Sequence, residues 1–386
     1  MRYLIVAKLP RRDSEDLLLV NIQLTLEAAG THADSSASLQ PCKRVSGLSC
    51  GRTGDTQSHP DSRLDDPVIW GLLPLSYAFN PSNLRWTLGA HDICFKNRYA
   101  EIPSSLSTFA NASSSVLASF FNLGQVLPTH RSKHSPNGGP FQPSITQAIR
   151  LLSSQPFSSP PPPPSETHFS DPFTCGALTY TTTGDDTVPA PSVYMRNRHS
   201  WVHVFPEGLV HQHPAADLRY FKWGVARLIL EAEPAPDVLP MFIEGTQRIM
   251  PEFRTFPRFL PRVGKPVRVA FGEVLDYEAT FGDLRRKWQA LVLQTRVQRE
   301  LVLREKEVTM LGELTDDVLR YGREAEEIRI EVARRMREEV LKVRKAMGEF
   351  PDPDPRLGDA STWAADAGVK EKKYKSRVDG SDINQD

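Results

Sequence analysis

The 386-residue chain carries 47 lysines and arginines against 47 aspartates and glutamates, and 39% of it is apolar. Zero net charge excludes bulk nucleic-acid binding, which needs a basic face to neutralise phosphates, while 32 prolines divide the chain into core-forming and solvated stretches. The four cysteines, Cys42, Cys50, Cys94 and Cys175, lack CxxC spacing and indicate neither a zinc site nor a disulfide framework.

No run approaches the roughly 18 apolar residues that span a bilayer. The chain is expected to be soluble or monotopic. Arg2, Lys8, Arg11 and Arg12 suggest a transit peptide, but Asp13, Glu15 and Asp16 break its acid-poor pattern. Two short apolar runs, "LIVA" and "LLLV", precede a polar Gly/Ser/Thr-rich stretch without periodicity, so residues 1–63 read as an atypical, disordered N-terminal region.

From residue 64 the pattern recovers. "PVIWGLLPLSYAF" is apolar and broken by Pro74, "LRWTLGAHDICF" has strand-and-turn character, and "SSVLASFFNLGQVLPTHR" ends in a short strand and Arg131. Ile145, Ala148, Ile149 and Leu152 then recur at helical spacing, predicting a helix with one face on a sheet. The tract "QPFSSPPPPPSETHFSDPF" favours polyproline II, and residues 155–200 read as a solvated, disordered insertion. Beyond it "WVHVF" predicts a strand, residues 219–233 an amphipathic helix, "DVLPMFIEG" an apolar strand and "KPVRVAFGEVL" an alternating strand. Helix alternating with strand predicts an α/β domain over residues 64–277.

Residues 278–347 are charged with helical period. Ile328, Val332, Met336, Val340, Val343 and Met347 form an apolar stripe, which predicts a helical C-terminal extension docked on the domain; a partner helix or a membrane surface is the competing use. Residues 348–386 read as a disordered tail.

Two stretches carry chemistry. In "WVHVFPEGLVHQHP" (201–214) a strand ends at Phe205, Pro206, Glu207 and Gly208: proline stops the ladder, glycine permits a tight turn, and the loop presents a carboxylate. An ordinary turn is the plain alternative. His203, His211 and His213 with Glu207 could ligate a metal, as in a metal hydrolase using His203, Glu207 and His211, but Pro206 breaks any helix that would place them on one face. In "SHPDSRLDDPVIWG" (58–71), His59 stands upstream of Asp65 and Asp66.

Taken with "WVHVFPEG", "VLPMFIEG" and "FPRFLPRVGKPVRVAFGEVL", the upstream stretches "LDDPVIWGLL", "LRWTLGAHDICF", "SFFNLGQVLPTHR" and "GGPFQPSITQAIRLL" are collinear motifs over about residues 64–347. They resemble the tafazzin branch of the glycerolipid acyltransferases, in its fungal form. The resemblance implies a mixed sheet flanked by helices and a monotopic mitochondrial enzyme on the intermembrane-space side. It implies acyl transfer between phospholipids and lysophospholipids, cardiolipin, monolysocardiolipin and phosphatidylcholine among them, with no cofactor, no metal and no acyl-CoA. In the family element NHxSxxDDP a histidine takes the proton from the acceptor hydroxyl and an aspartate orients the imidazole. The resemblance also implies that Arg131 pairs with a lipid phosphate and that Phe205, Pro206, Glu207 and Gly208 position the acceptor.

This chain departs from that element. Ser62 falls on the family serine, Pro60 on the family histidine, and His59 lies six residues before Asp65. Three readings stand. A one-residue bulge returns His59 to the site, so that His59 and Asp65 are the catalytic pair; the chain has lost activity and keeps a lipid-binding surface; or the sequence before Leu64 comes from a misassigned exon, which accounts for both the absent anchor and the displaced histidine.

Overall fold

The structure, a computed structural model, describes residues 3–7, 85–95, 121, 124–132, 135–154, 179–190, 201–208, 213, 215–249, 251, 262, 264–303, 311–348, 350–359, 374–375 and 382–383. Its centre is a six-stranded sheet. In chain order the elements leading to the site are β1 (Tyr3–Ala7), β2 (Trp86–Ala90), the short helix α1 (His91–Cys94), β3 (Val126–Thr129) and helix α2 (Pro143–Leu151). A small hairpin of β4 (Thr179–Tyr180) and β5 (Val188–Pro189) follows, then β6 (Trp201–Val204), helix α3 (Gly224–Glu231), β7 (Asp237–Glu244), α4 (Thr246–Ile249) and β8 (Arg268–Phe271). Two long helices, α5 (Tyr277–Leu303) and α7 (Arg323–Ala346), flank the short α6 (Asp317–Tyr321). A 3-10 turn at Pro355–Gly358 and a two-residue pairing of β9 (Tyr374–Lys375) with β10 (Asp382–Ile383) end the described chain.

The sheet order is β3-β2-β6-β1-β7-β8. β3, β2 and β6 run parallel, whereas β1 lies antiparallel between β6 and β7, and β8 is antiparallel to β7. The expected mixed α/β architecture is therefore present. One difference is β1: residues 1–63 are expected to lie outside the fold, yet the "YLIVA" run forms a central strand. Both neighbours offer unpaired backbone edges to it, and a β-branched segment suits that position.

Helix α2 buries Ile145, Ala148, Ile149 and, at its C-terminal boundary, Leu152, the face its periodicity predicts. Helix α3 starts at Gly224 instead of residue 219, because residues 218–222 spend their backbone groups elsewhere. The Lys222 N–H donates to the Pro206 carbonyl at 2.7 Å, and the Leu218 and Arg219 carbonyls accept from Arg337 on α7. Helix α7 buries Ile328, Val332, Met336, Val340 and Val343 and packs on β7, α3 and α5. Its apolar stripe is thus part of the main core. Removing such a stripe from water contributes about 25 cal/mol per Å² of apolar surface, far more than helix propensity supplies to a segment rich in exposed charge.

Candidate functional site

Parallel strands bring their C-terminal ends to one edge of a sheet, and ligands of open α/β sheets bind there. Three of the stretches arrive at that edge: β2 leads into His91 and Asp92 at the start of α1, β3 into His130 and Arg131, and β6 into Phe205, Pro206, Glu207 and Gly208. Ala90 pairs with Thr129 and Thr87 with His203. All three strands run in the same direction, so the residues that follow Ala90, Thr129 and Val204 leave from the same edge. With strands about 4.8 Å apart, the three strand ends span roughly 10 Å.

Arg131 is held at this edge by Asp92. Its Nε donates to Asp92 Oδ1 at 3.0 Å and its Nη2 to Oδ2, a two-point fork between residues 39 apart in sequence. Both side chains are just over a quarter exposed, so the guanidinium is oriented and still open to a ligand; Nη1 lies outside the pair. The Nε–Nη2 edge is committed to Asp92, which fixes the plane of the guanidinium, and the Nη1 edge is the part that a phosphate or carboxylate would meet.

His130 sits beside it, buried. Its backbone is clasped by Gln142 at the start of α2: the His130 N–H donates to Gln142 Oε1 at 2.7 Å, and Gln142 Nε2 donates back to the His130 carbonyl at 3.1 Å. The His130 ring stacks on His91 with centroids 4.3 Å apart, and its Nε2 lies 2.8 Å from Thr182 Oγ1. The Thr182 hydroxyl in turn donates to Asp186, which makes Thr182 Oγ1 the acceptor and His130 Nε2–H the donor. Burial lowers the His130 pKa, opposed by Asp186 and then Asp92, which favours the neutral imidazole. Burial alone would raise the Asp186 carboxyl, but hydrogen bonds from Thr182, Thr183 and Thr181 hold it well below the usual carboxylate range.

Thr182 and Asp186 belong to residues 179–190, inside the stretch read as a disordered insertion. They instead form the β4–β5 hairpin, whose loop is organised by Asp186 accepting from the Thr182 and Thr183 amides at 2.6 and 2.9 Å, with Gly184 at φ +98°. A threonine-rich strand end followed by Gly-Asp-Asp is a turn signature. That signal, and the His-Asp pair in "GAHDICF", could have flagged Asp92, His91 and Asp186 from sequence.

The loop after β6 is a tight turn. The Gly208 N–H donates to the Phe205 carbonyl at 3.0 Å, and Gly208 has φ +67°, where a side chain would be strained and its Cβ would lie 3.1 Å from Lys222 Cγ. Glu207 is not displayed at the surface, as the sequence suggested, but is buried, with Oε2 accepting from the Arg219 N–H at 3.5 Å. The Ala215–Tyr220 segment behind it is held by α7. Arg337 donates to the Leu218 and Arg219 carbonyls, and Arg344 to those of Ala215 and Ala216.

His59 and Asp65 lie outside the described residues, as does His211. His203 is buried in β6 with its ring 4.8 Å from that of Phe205. Among the described residues the metal-capable side chains that converge are His91, His130 and Asp186, with donor atoms within 4.8 Å of one another, and not His203 with Glu207. Asp186 already accepts from three threonines and His130 donates to Thr182, so this cluster is arranged as a hydrogen-bond network that a cation would have to displace.

No family model matches the chain. Individual proteins do. Tafazzin of Saccharomyces cerevisiae is 34% identical over 313 residues, 78% of this chain and 69% of that protein. Tafazzin of Drosophila melanogaster is 28% identical over 232 residues, 60% of this chain and 43% of its own length. The N-acylphosphatidylethanolamine synthase of Arabidopsis thaliana is 26% identical over 225 residues, covering 58% and 56% of the two chains. The collinear motifs, the sheet edge they build and an identity of this level over most of the yeast protein agree: the chain belongs to the tafazzin family, and is an acyltransferase.

Proposed function

We propose that the protein is a phospholipid–lysophospholipid transacylase of the tafazzin type, remodelling cardiolipin acyl chains with phosphatidylcholine as one acyl donor. The observation that carries this reading is the convergence of the Arg131–Asp92 fork and the Phe205–Gly208 turn on one edge of the sheet, in a chain 34% identical to yeast tafazzin. Arg131 would take the lipid phosphate; Phe205, Pro206, Glu207 and Gly208 would shape the acceptor subsite, Glu207 fixing the turn from inside. His59 would take the proton from the lysolipid hydroxyl as that oxygen attacks the donor ester, and Asp65 would hold the imidazole in its tautomer. The collapsing tetrahedral intermediate then expels the lysophospholipid alkoxide, which recovers the proton. No residue of the chain is acylated.

The setting would be a mitochondrial membrane, with the enzyme peripheral or monotopic on the intermembrane-space side. No described helix is long and apolar enough to cross a membrane. The altered histidine spacing favours one second reading, a membrane-associated lipid-binding protein without turnover. Transfer of labelled acyl chains from phosphatidylcholine to monolysocardiolipin separates the two: turnover abolished by His59→Ala supports the transacylase, whereas lipid binding with no turnover in the unmodified chain leaves only the binding role.

A further inference from the structure

All five exposed large apolar side chains among the described residues sit on two touching helices. Leu293, Val297 and Leu301 project from α5, 62, 47 and 75% exposed, and Val318 and Tyr321 project from α6, 51 and 63% exposed. Arg299 ties the two together by donating to Thr315 Oγ1 at 2.9 Å, two residues before α6. Exposed leucines scattered singly need no explanation, but large apolar groups gathered on one side of a molecule do.

The sequence of α5 shows why the fold leaves them there. Phe281, Leu284, Trp288 and Leu291 form one face and are buried in the core. Leu293, Val297 and Leu301, spaced by four, form a second face, continued one and two turns back by the exposed Ala290 and Arg286. The helix therefore has two apolar faces and the fold uses one. From Leu284 to Arg299 it contains no acidic residue, and Arg286, Lys287 and Arg296 are exposed beside the second face. The acids nearby include Glu278, which pairs with Arg286, Asp283, which pairs with Arg335, Glu313, which pairs with Arg150, Glu300, and Asp316 and Asp317 at the start of α6. A stripe of leucine and valine flanked by arginine and lysine is the pattern that settles into the interface of an anionic bilayer.

The patch also adjoins the candidate site. Tyr321 packs edge-to-face on Phe141 with centroids 5.5 Å apart, and Phe141 precedes Gln142, which clasps His130.

We propose that the α5–α6 face is the surface by which the protein lies on an anionic phospholipid bilayer: Leu293, Val297, Leu301, Val318 and Tyr321 enter the interface, and Arg286, Lys287 and Arg296 meet lipid phosphates. This rests on the reading of the substrate as a phospholipid, since a lipid held in a bilayer must be met at its surface. The test is co-sedimentation of the full chain with vesicles of phosphatidylcholine alone and of phosphatidylcholine with cardiolipin. The variant carrying Leu293→Ser, Val297→Ser and Leu301→Ser is expected to bind the cardiolipin vesicles at least about tenfold more weakly. A second variant, Arg286→Gln, Lys287→Gln and Arg296→Gln, is expected to lose the preference for cardiolipin vesicles while its binding to phosphatidylcholine alone stays the same. Both should retain acyl transfer between short-chain lipids dispersed as monomers.

Vesicle binding by the serine variant equal to that of the unmodified chain overturns the proposal, provided the unmodified chain binds at all; no binding by either overturns it too. A change in oligomeric state of the serine variant, by light scattering, with vesicle binding unchanged would assign the face to a second copy of the chain instead. Absence of turnover on monomeric lipids by the unmodified chain would count against the transacylase reading alone, because vesicle binding is scored separately.

Discussion

At the scale of single residues, two geometries make predictions of different kinds. The Arg131–Asp92 pair is a fork matched to a carboxylate, and lysine cannot reproduce two parallel N–H donors. Arg131→Lys is expected to lower kcat/KM by roughly tenfold or more, the equivalent of one charge-assisted hydrogen bond of about 1.5–3 kcal/mol; unchanged kinetics in the acyl-transfer assay would remove Arg131 from the site. His130 predicts a pH response. Its folded pKa lies below the ordinary 6.5 because of burial, against Asp186 and Asp92, so its neutral form supports the fold above that pH, and this support is given up as pH falls from there through the folded value. Asp186 has the same sign in a more acidic window: its folded pKa lies below the ordinary 3.8 despite burial, through its threonine partners, so its contribution is intact above that value and is lost in stronger acid. The protection of residues 179–190 against hydrogen exchange, taken relative to the intrinsic amide rate at each pH, should therefore fall in two steps on acidification. His130→Gln should abolish the first step and spare the second; a first step that survives in that variant would show that His130 is not its source.

At the scale of elements, α7 acts as a brace. Arg337 is buried and donates three bonds, at 3.2, 3.2 and 2.7 Å, to the Leu218 and Arg219 carbonyls, directly behind the turn that carries Glu207. Burial lowers the Arg337 pKa, opposed by Asp217 and Glu207, so the guanidinium is costly to bury and is retained by what it bonds. Arg337→Met keeps the volume and orphans the carbonyls, at about 1–3 kcal/mol each. The expected result is a lower Tm together with a raised KM for the lysolipid; a lowered Tm with KM unchanged would confine the brace to stability. Met336, fully buried on the same helix, provides the contrast: Met336→Ala should cost about 2–5 kcal/mol through the cavity it leaves, seen in denaturant unfolding, with KM unaffected.

At the scale of the molecule, the C-terminal helices are not an appendage. Arg150 on α2 reaches the Leu311 carbonyl and Glu313, Arg227 on α3 reaches the Gly312 carbonyl, and α7 supplies core residues from Ile328 to Val343. Truncation after Asp316 is expected to destroy cooperative unfolding of the whole sheet, checked by limited proteolysis; a truncated chain with a sharp transition and protected β7 would contradict this. Much was legible in the sequence: the faces of α2 and α7, the strands β6 and β7 and the turn at Gly208 follow from periods of 3.6 and 2 and from proline and glycine placement. These are local properties, and local properties are written in consecutive residues. Legibility failed at the β4–β5 hairpin, whose Thr/Gly-Asp-Asp turn signal is local but sits beside a proline-rich tract, and at β1 and the start of α3, where backbone groups found partners that no nearby residue announces. The candidate site failed the same way. Arg131 could be read as a phosphate ligand, but Asp92 lies 39 residues before it, Thr182 lies 52 residues after His130, and Arg337 grips carbonyls 118 and 119 residues behind it. The sequence by itself determined the α/β class and most of the elements that build it, because side-chain period and turn chemistry act within a few residues. Only the tertiary structure decided which groups share the sheet edge and which way each points, because parallel strands deliver their ends to one place regardless of the chain length between them.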